Sequence, residues 1–105
     1  MRIAGWNKNA TATNAVATAT KATDANRQQI IAWIDVSFSA APATPVLAQI
    51  KDSDANILWQ RYFSASDAEE FSVGLTVPPG KGVSANVAAA GSGVVGSINL
   101  GGWTV

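Results

Sequence analysis

The sequence predicts an all-β domain, an antiparallel two-sheet β-sandwich of jelly-roll or immunoglobulin-like topology. Apolar and polar residues alternate along most of the chain, which is the period of a half-buried strand. These runs recur about every ten residues, and turns rich in Pro, Gly, Asn or Asp separate them. Ala, Thr, Ser, Val and Gly dominate the 105 residues, and no amphipathic helix of useful length competes. We therefore expect about seven strands.

The clearest predicted strand covers residues 29–39. Ile30, Ile34 and Val36 share its apolar face with Ala32 and Phe38. Before this strand, residues 1–10 are expected to form an extended N-terminal arm, and residues 11–105 a single β-sandwich domain. The Ala/Thr-rich segment 11–20 is predicted to be an edge strand, with a solvated linker as the alternative.

Five further strands are predicted after residue 45, each from its alternating pattern. Segment 66–70 between two of them is expected to form one helical turn or a loop. The expected inward-facing residues are Val46, Ala48 and Ile50; Ile57, Trp59, Arg61 and Phe63; Phe71, Val73, Leu75 and Val77; Val83, Ala85, Val87 and Ala89; and Val94, Gly96, Ile98 and Leu100.

The charge composition excludes several classes of partner. The chain has 7 Lys and Arg and 7 Asp and Glu, so its formal net charge is zero. We therefore expect no nucleic-acid binding through bulk phosphate electrostatics and no polybasic membrane anchor. No apolar run reaches the ~20 residues of a membrane-spanning helix, and an apolar signal-peptide segment is not expected. Only 13% of the residues are charged, which favours association and indicates an assembly subunit.

The sequence also argues against an enzyme. It contains no histidine and no cysteine, so the usual general base and thiolate chemistry are missing. Residues Asp52, Asp54 and Asn56 match the first three ligand positions of a calcium loop. Ile57 then stands where that loop needs glycine, and Phe63 where it needs glutamate. Asp and Asn are also typical of a β-turn, which is the interpretation that we expect, and we expect neither a metal site nor a cofactor.

A second acidic group, Asp67, Glu69 and Glu70, precedes the strand that begins at Phe71. Paired carboxylates perform acid–base catalysis in glycosidases. Nothing in the sequence indicates a cleft or a shifted pKa around these three. We expect a solvated loop.

The four tryptophans are the most informative residues. Trp59 shares a face with Phe63 and is expected in the core. Trp6, Trp33 and Trp103 lie outside the obvious core, which indicates a protein interface, packing within the chain, or a platform that stacks on sugars. Ile3 and Trp6 are the expected anchors of the arm on a neighbouring surface. The candidate partner-interface residues are Ile3, Trp6, Ile31, Trp33, Tyr62 and Trp103.

Four segments of the chain are distinctive: IIAWIDVSFS at 30–39, AAPA at 40–43, ILWQ at 57–60 and GVVGSINLGGWTV at 93–105. Through these segments, residues 29–105 resemble small β-sandwich structural proteins of tailed bacteriophages. The resemblance implies a virion structural subunit without catalytic residues that is commonly oligomeric.

Among such roles, the resemblance favours a capsid decoration (cement) protein. Such a protein would form a homotrimer and bind major capsid protein subunits on the capsid surface of the virion, after synthesis in the host cytoplasm. The alternative is a tail-fibre or carbohydrate-binding module for host recognition.

Overall fold

The computed structural model describes residues 4–105, which form eight β-strands. No described part of the chain forms a helix long and apolar enough to cross a membrane. The strands are β1 (Ala4–Thr13), β2 (Ala17–Lys21), β3 (Gln29–Phe38), β4 (Val46–Asp52), β5 (Ile57–Phe63), β6 (Asp67–Thr76), β7 (Val83–Val87) and β8 (Val95–Thr104).

The strands form two four-stranded sheets with the orders β1-β8-β3-β6 and β2-β7-β4-β5. Every pairing is antiparallel. Successive crossings between the sheets produce the two Greek keys of an eight-stranded jelly roll. The predicted all-β sandwich is confirmed, and its topology is that of a jelly roll. The structure has eight strands rather than about seven.

The core lies between the two sheets and is built from the inward residues of every regular strand. The predicted inner faces of β4, of β7 up to Val87 and of most of β8 are confirmed, because these central strands pair without interruption over those positions. Ala89 lies beyond the end of β7 and Ile57 at the start of β5, and both are exposed rather than inward-facing. The largest fully buried apolar side chains are Phe63, Ile31, Ile34, Ile50, Ile98, Leu100, Val36, Val77, Val83 and Val87.

The expected arm and the expected edge strand are arranged differently in the structure. Residues 4–13 form β1, which pairs with β8 along its whole length, from Ala4 opposite Thr104 to Thr13 opposite Val95. The segment therefore pairs with β8 of its own chain instead of extending away as an arm. The strand continues through residue 10, where the boundary between arm and domain was expected. The Ala/Thr-rich segment 11–20 is divided between β1 and β2, because the chain crosses from one sheet to the other there.

A β-bulge at Ala32 changes the phase of β3. Ile31 pairs with Gly102 and Trp33 with Gly101, so one extra residue of β3 lies between two consecutive residues of β8. Ile31 therefore points into the core and is 0% exposed. The predicted alternation holds beyond the bulge, where Ile34 and Val36 are buried. Before the bulge the predicted alternation fails, because Ile31 takes the position that faces the core.

Strand β6 departs from its predicted pattern at the same level. Residues 71–74 have no partners in β3, since Ile31 pairs with Leu75 and Trp33 with Glu70. Val73 was expected in the core but is 93% exposed, because these four residues loop out of the ladder. Segment 66–70, expected as a helical turn or loop, contains the start of β6 instead.

The pairing registers place the connections at two ends of the sandwich. One end carries segments 14–16, 39–45, 64–66 and 88–94. The other end carries segments 22–28, 53–56 and 77–82, together with the start of β1 and the end of β8. Backbone hydrogen bonds in both directions between Gln28 and Val105, at 2.9 and 3.1 Å, tie this second end together.

Candidate functional site

Three of the predicted interface residues surround one open cleft at the second end of the sandwich. Trp6, Trp33 and Trp103 line it, and its volume is about 570 Å³. All three side chains are half-buried. Gly5, Asn7, Ala32 and Gly102 complete the lining. Strands β1, β8 and β3 therefore bring together residues that are almost 100 positions apart in sequence.

Two glycines make room for the large rings on the outer face of this sheet. A Cβ atom at Gly101 would lie 2.6 Å from Cε2 and Cζ2 of Trp33, so the indole rests on the backbone of that residue. A Cβ atom at Gly74 would lie 3.4 Å from Cη2 of Trp103 and would collide with Ile30. Gly74 has φ 82°, a conformation that other residues rarely adopt. Both tryptophans thus lie close against the sheet.

Trp6 differs from the other two because it packs against the hydrophobic core. Its neighbour across the ladder, Gly102, lies opposite Ile31, which is fully buried. The Nε1 of Trp6 is buried and has no hydrogen-bond partner among the described residues. Trp6 therefore contacts the core and also lines the cleft, and its contact with the core is the packing within the chain that was one of its expected roles.

The other predicted interface residues lie elsewhere. Ile31 is inaccessible in the core because of the bulge at Ala32, so it offers no surface to a partner. Tyr62 is 66% exposed on β5, in the opposite sheet from the cleft. Ile3 lies outside the described residues.

Trp59 packs against the core, as expected. It contacts Phe71 edge-on, with ring centroids 5.8 Å apart. This contact links the edge strands β5 and β6 across the two sheets.

The loop after β4 is a turn, which confirms the simpler of its two interpretations. The Oδ1 atom of Asp52 accepts hydrogen bonds from the backbone N–H groups of Asp54 and Asn56, at 2.9 and 3.0 Å. Its Oδ2 accepts one from the Asn56 side chain at 3.1 Å. Desolvation raises the pKa of the Asp52 carboxyl, but the hydrogen bonds from Asn56 and Asp54 together outweigh it and hold the pKa below its usual value. Both carboxylate oxygens are thus engaged in the turn.

The carboxylates at the start of β6 lie on a strand rather than in the expected loop, and they are exposed or partly exposed to solvent, as expected. Arg61 pairs with Asp67 and, at 3.5 Å, with Glu69. Its guanidinium lies 4.5 Å from the ring centroid of Phe63. The hydrogen bond from Arg61 is the main cause that lowers the pKa of the Asp67 carboxyl. Across the described residues, no cluster of three acidic, cysteine or histidine side chains is placed to hold a metal ion.

The sequence did not indicate a second cleft, of about 550 Å³, on the opposite sheet. Lys21 and Lys51 line it together with hydroxyl residues such as Thr20 and Ser84. Its residues come from separate chain segments, and only the pairing of β2, β7 and β4 places them side by side. No local motif could have revealed it.

No protein-family model and no curated protein matches this chain. Among solved structures, it is similar to a chain of the acid-stable capsid of Helicobacter pylori bacteriophage KHP30, with a TM-score of 0.58 and 14% identity. That match covers 100% of this chain and 95% of the phage chain.

The mosquito-larvicidal Cry4Aa toxin of Bacillus thuringiensis has a TM-score of 0.51 and 11% identity, over 89% of this chain and 18% of the toxin chain. The carbohydrate-binding module CBM36, solved with calcium and xylotriose, has a TM-score of 0.46 and 9% identity, over 90% of this chain and 77% of the module. At such identities, the phage and toxin matches show a shared fold.

Proposed function

We propose that this chain is a structural protein of a bacteriophage virion, in the role of a capsid decoration (cement) protein that binds major capsid protein subunits. One observation carries the proposal. The described chain is a single jelly roll that matches a chain of a phage capsid structure from end to end, with 100% and 95% coverage. Jelly rolls are a recurrent architecture of viral capsid domains.

The tryptophan-lined cleft is the proposed contact with the shell. Tryptophan is enriched among residues that dominate binding energy, because a large rigid ring can be fully desolvated in a partner's pocket. Trp33 and Trp103 are half-exposed and supported by the sheet. Covering about 300 Å² of apolar surface would contribute about 7 kcal/mol before entropic costs. A homotrimer would repeat this contact and raise the overall avidity.

The groups with shifted pKa values have structural roles that fit a protein without catalysis. Asp52 stabilises the turn after β4, and Asp67 links β6 to β5 through its ion pair with Arg61. Lys81, whose pKa is raised by its hydrogen bond to Asp54, joins two loops at the second end of the sandwich. None of these three residues lines the tryptophan-lined cleft. The proposal therefore assigns the cleft to binding alone.

Co-sedimentation with phage shells tests the proposal. The shells are assembled from the major capsid protein of the phage genome that carries this sequence. We expect the wild-type chain to sediment with the shells and to raise the temperature at which they come apart. Trp103→Ala should weaken sedimentation at least tenfold, since each 1.4 kcal/mol of binding energy changes affinity about tenfold.

Tyr62→Ala is the matched control for this experiment, because it removes an exposed aromatic ring from the opposite sheet. It should sediment like the wild-type chain. Failure of the folded wild-type chain to bind any shell would overturn the proposal. Loss of binding in Tyr62→Ala but not in Trp103→Ala would move the contact to the other sheet.

The same cleft favours a second candidate function, a tail-fibre or carbohydrate-binding module for host recognition. Indole rings that line an open cleft beside the amide of Asn7 offer both stacking and hydrogen bonding to a sugar. A glycan array and tryptophan fluorescence with host polysaccharide test it. Binding that Trp33→Ala abolishes would support this function, and an array without any hit would remove it.

A further inference from the structure

The charged side chains that the four strands place on the outer face of the β1-β8-β3-β6 sheet are all negative. The registers place Trp33, Asp35 and Ser37 of β3 on this face, beside Gly101, Asn99 and Ser97 of β8. Glu70 of β6 lies directly opposite Trp33. Among the described side chains of these four strands, Asp35 and Glu70 are the charged ones on this face, and both are carboxylates. Lys8, on β1, lies opposite the buried Leu100 and so belongs to the inner side.

One face of the Trp33 indole is open to a partner that contacts this side of the sheet. The opposite side is covered, because the ring rests on Gly101, where a Cβ atom would come within 2.6 Å of it. The described strands leave the outside of this sheet uncovered by any further layer. The negative face of an indole attracts a cation, and the attraction strengthens when the cation is partly desolvated.

Acceptor groups surround this ring. Glu70 is its cross-strand neighbour, and Asp35 follows two residues along the same face. Both carboxylates are exposed, and the described residues provide no ion pair or hydrogen bond to either. The Oδ1 atom of Asn99, the cross-strand neighbour of Asp35, is buried and also lacks a partner. The site thus presents an aromatic face and two exposed carboxylates.

We infer that Trp33, Asp35 and Glu70 form a receptor for an arginine side chain of the protein partner. A planar guanidinium stacks on an indole and donates hydrogen bonds from its edge to carboxylates, which an ammonium group cannot do in the same geometry. The inference rests on the proposed function, and it specifies the chemistry that the capsid subunit presents to the sheet face beside the tryptophan-lined cleft. It also explains why a chain with zero net charge keeps two unpaired carboxylates beside the ring of Trp33.

Titration of the full chain with short capped peptides tests the inference. The probes are Gly-Arg-Gly and its neutral isostere, Gly-citrulline-Gly, followed by the nitrogen-15 NMR signals of the Trp33 indole and of the backbone at Asp35 and Glu70. We expect only the arginine peptide to shift these signals. The double variant Asp35→Asn/Glu70→Gln should bind it about tenfold more weakly, since two exposed ion pairs are removed.

Asp24→Asn is the matched control, because it removes an exposed carboxylate that lies in a loop outside the four strands of this sheet. It should bind the arginine peptide like the wild-type chain, and unchanged amide spectra confirm that every variant is folded. Equal shifts from the citrulline peptide, or no shift from either peptide, would overturn the inference.

Shell co-sedimentation separates this inference from the proposed function. If the double variant sediments with shells at the wild-type level, the arginine receptor is wrong and the decoration role stands. If the wild-type chain binds the arginine peptide but no shell, the decoration role fails and the receptor stands as a property of the chain.

Discussion

Gln29 and Thr104 are joined by a buried hydrogen bond between the ends of β3 and β8. The Oγ1 of Thr104 donates to the Oε1 of Gln29 at 2.8 Å. Both residues lie in the interior, and the Nε2 of Gln29 has no partner among the described residues. A polar pair is thus enclosed in the interior beside the apolar core, where an unpaired group is costly.

Replacing one member of this pair should destabilise the fold. Thr104→Val leaves the Oε1 of Gln29 without a donor, and we expect the free energy of unfolding in urea to fall by about 1–3 kcal/mol. The double variant Gln29→Met/Thr104→Val removes both polar groups and should recover most of this loss. Thr20→Val, on the exposed face of β2, is the control and should change stability by less than about 0.5 kcal/mol.

A methyl group at position 101 should displace Trp33. Gly101→Ala places a Cβ atom 2.6 Å from the indole, so the ring must tilt away, at a cost of about 1–3 kcal/mol in unfolding free energy. Gly5→Ala is the control in the same cleft, since its Cβ would lie 3.8 Å from the nearest atom. Urea unfolding and the Trp33 indole NMR signal measure the two effects. Equal stability of both variants would contradict the close contact between Trp33 and Gly101.

The turn after β4 should make the fold sensitive to acid. Because the pKa of Asp52 is lower in the folded chain than its ordinary value of 3.8, its contribution to stability is present above that value and is lost as the pH falls through the folded pKa. Asp52→Asn should therefore be less stable than the wild-type chain at pH 7, and the difference should shrink below about pH 4. Thermal unfolding of both chains from pH 7 to pH 2 measures it. A difference that stays constant would contradict this role.

The ion pair between Lys81 and Asp54, at 2.9 Å, should act at the other end of the pH scale. The pKa of Lys81 is raised above 10.5 in the folded chain. Its contribution to stability is therefore present below that value and is lost as the pH rises through the folded pKa. Lys81→Gln should lower the melting temperature slightly at pH 8 and have no effect once the wild-type ammonium is deprotonated. Molar salt should also reduce the difference at pH 8, because both groups are exposed.

The sequence predicted the parts of the fold that depend on regular alternation. Val46, Ala48 and Ile50 are buried as expected, because β4 pairs regularly with a neighbour on each side. Trp33 was correctly predicted to lie on the face opposite to Val36. The strand formed by residues 4–13 was missed, since most of its side chains are exposed on both faces and leave no alternation of apolar and polar residues.

The cleft itself was only partly predictable. The sequence singled out Trp6, Trp33 and Trp103 as residues outside the main core. The sequence could not show that the ring of Trp33 packs on Gly101 or that Trp103 packs next to Gly74. These contacts depend on the bulges in β3 and β6, and a bulge interrupts the alternation on which sequence analysis relies.

The looped-out segment of β6 should hinder edge-to-edge pairing of further copies at this edge of the sheet. β6 is an outermost strand, and a straight outermost strand is a template on which further copies can stack. Residues 71–74 break the regular spacing of its amide and carbonyl groups, so an incoming strand finds only short stretches to pair with. A chain with zero net charge has little long-range repulsion to keep copies apart, and this kink supplies a local barrier instead.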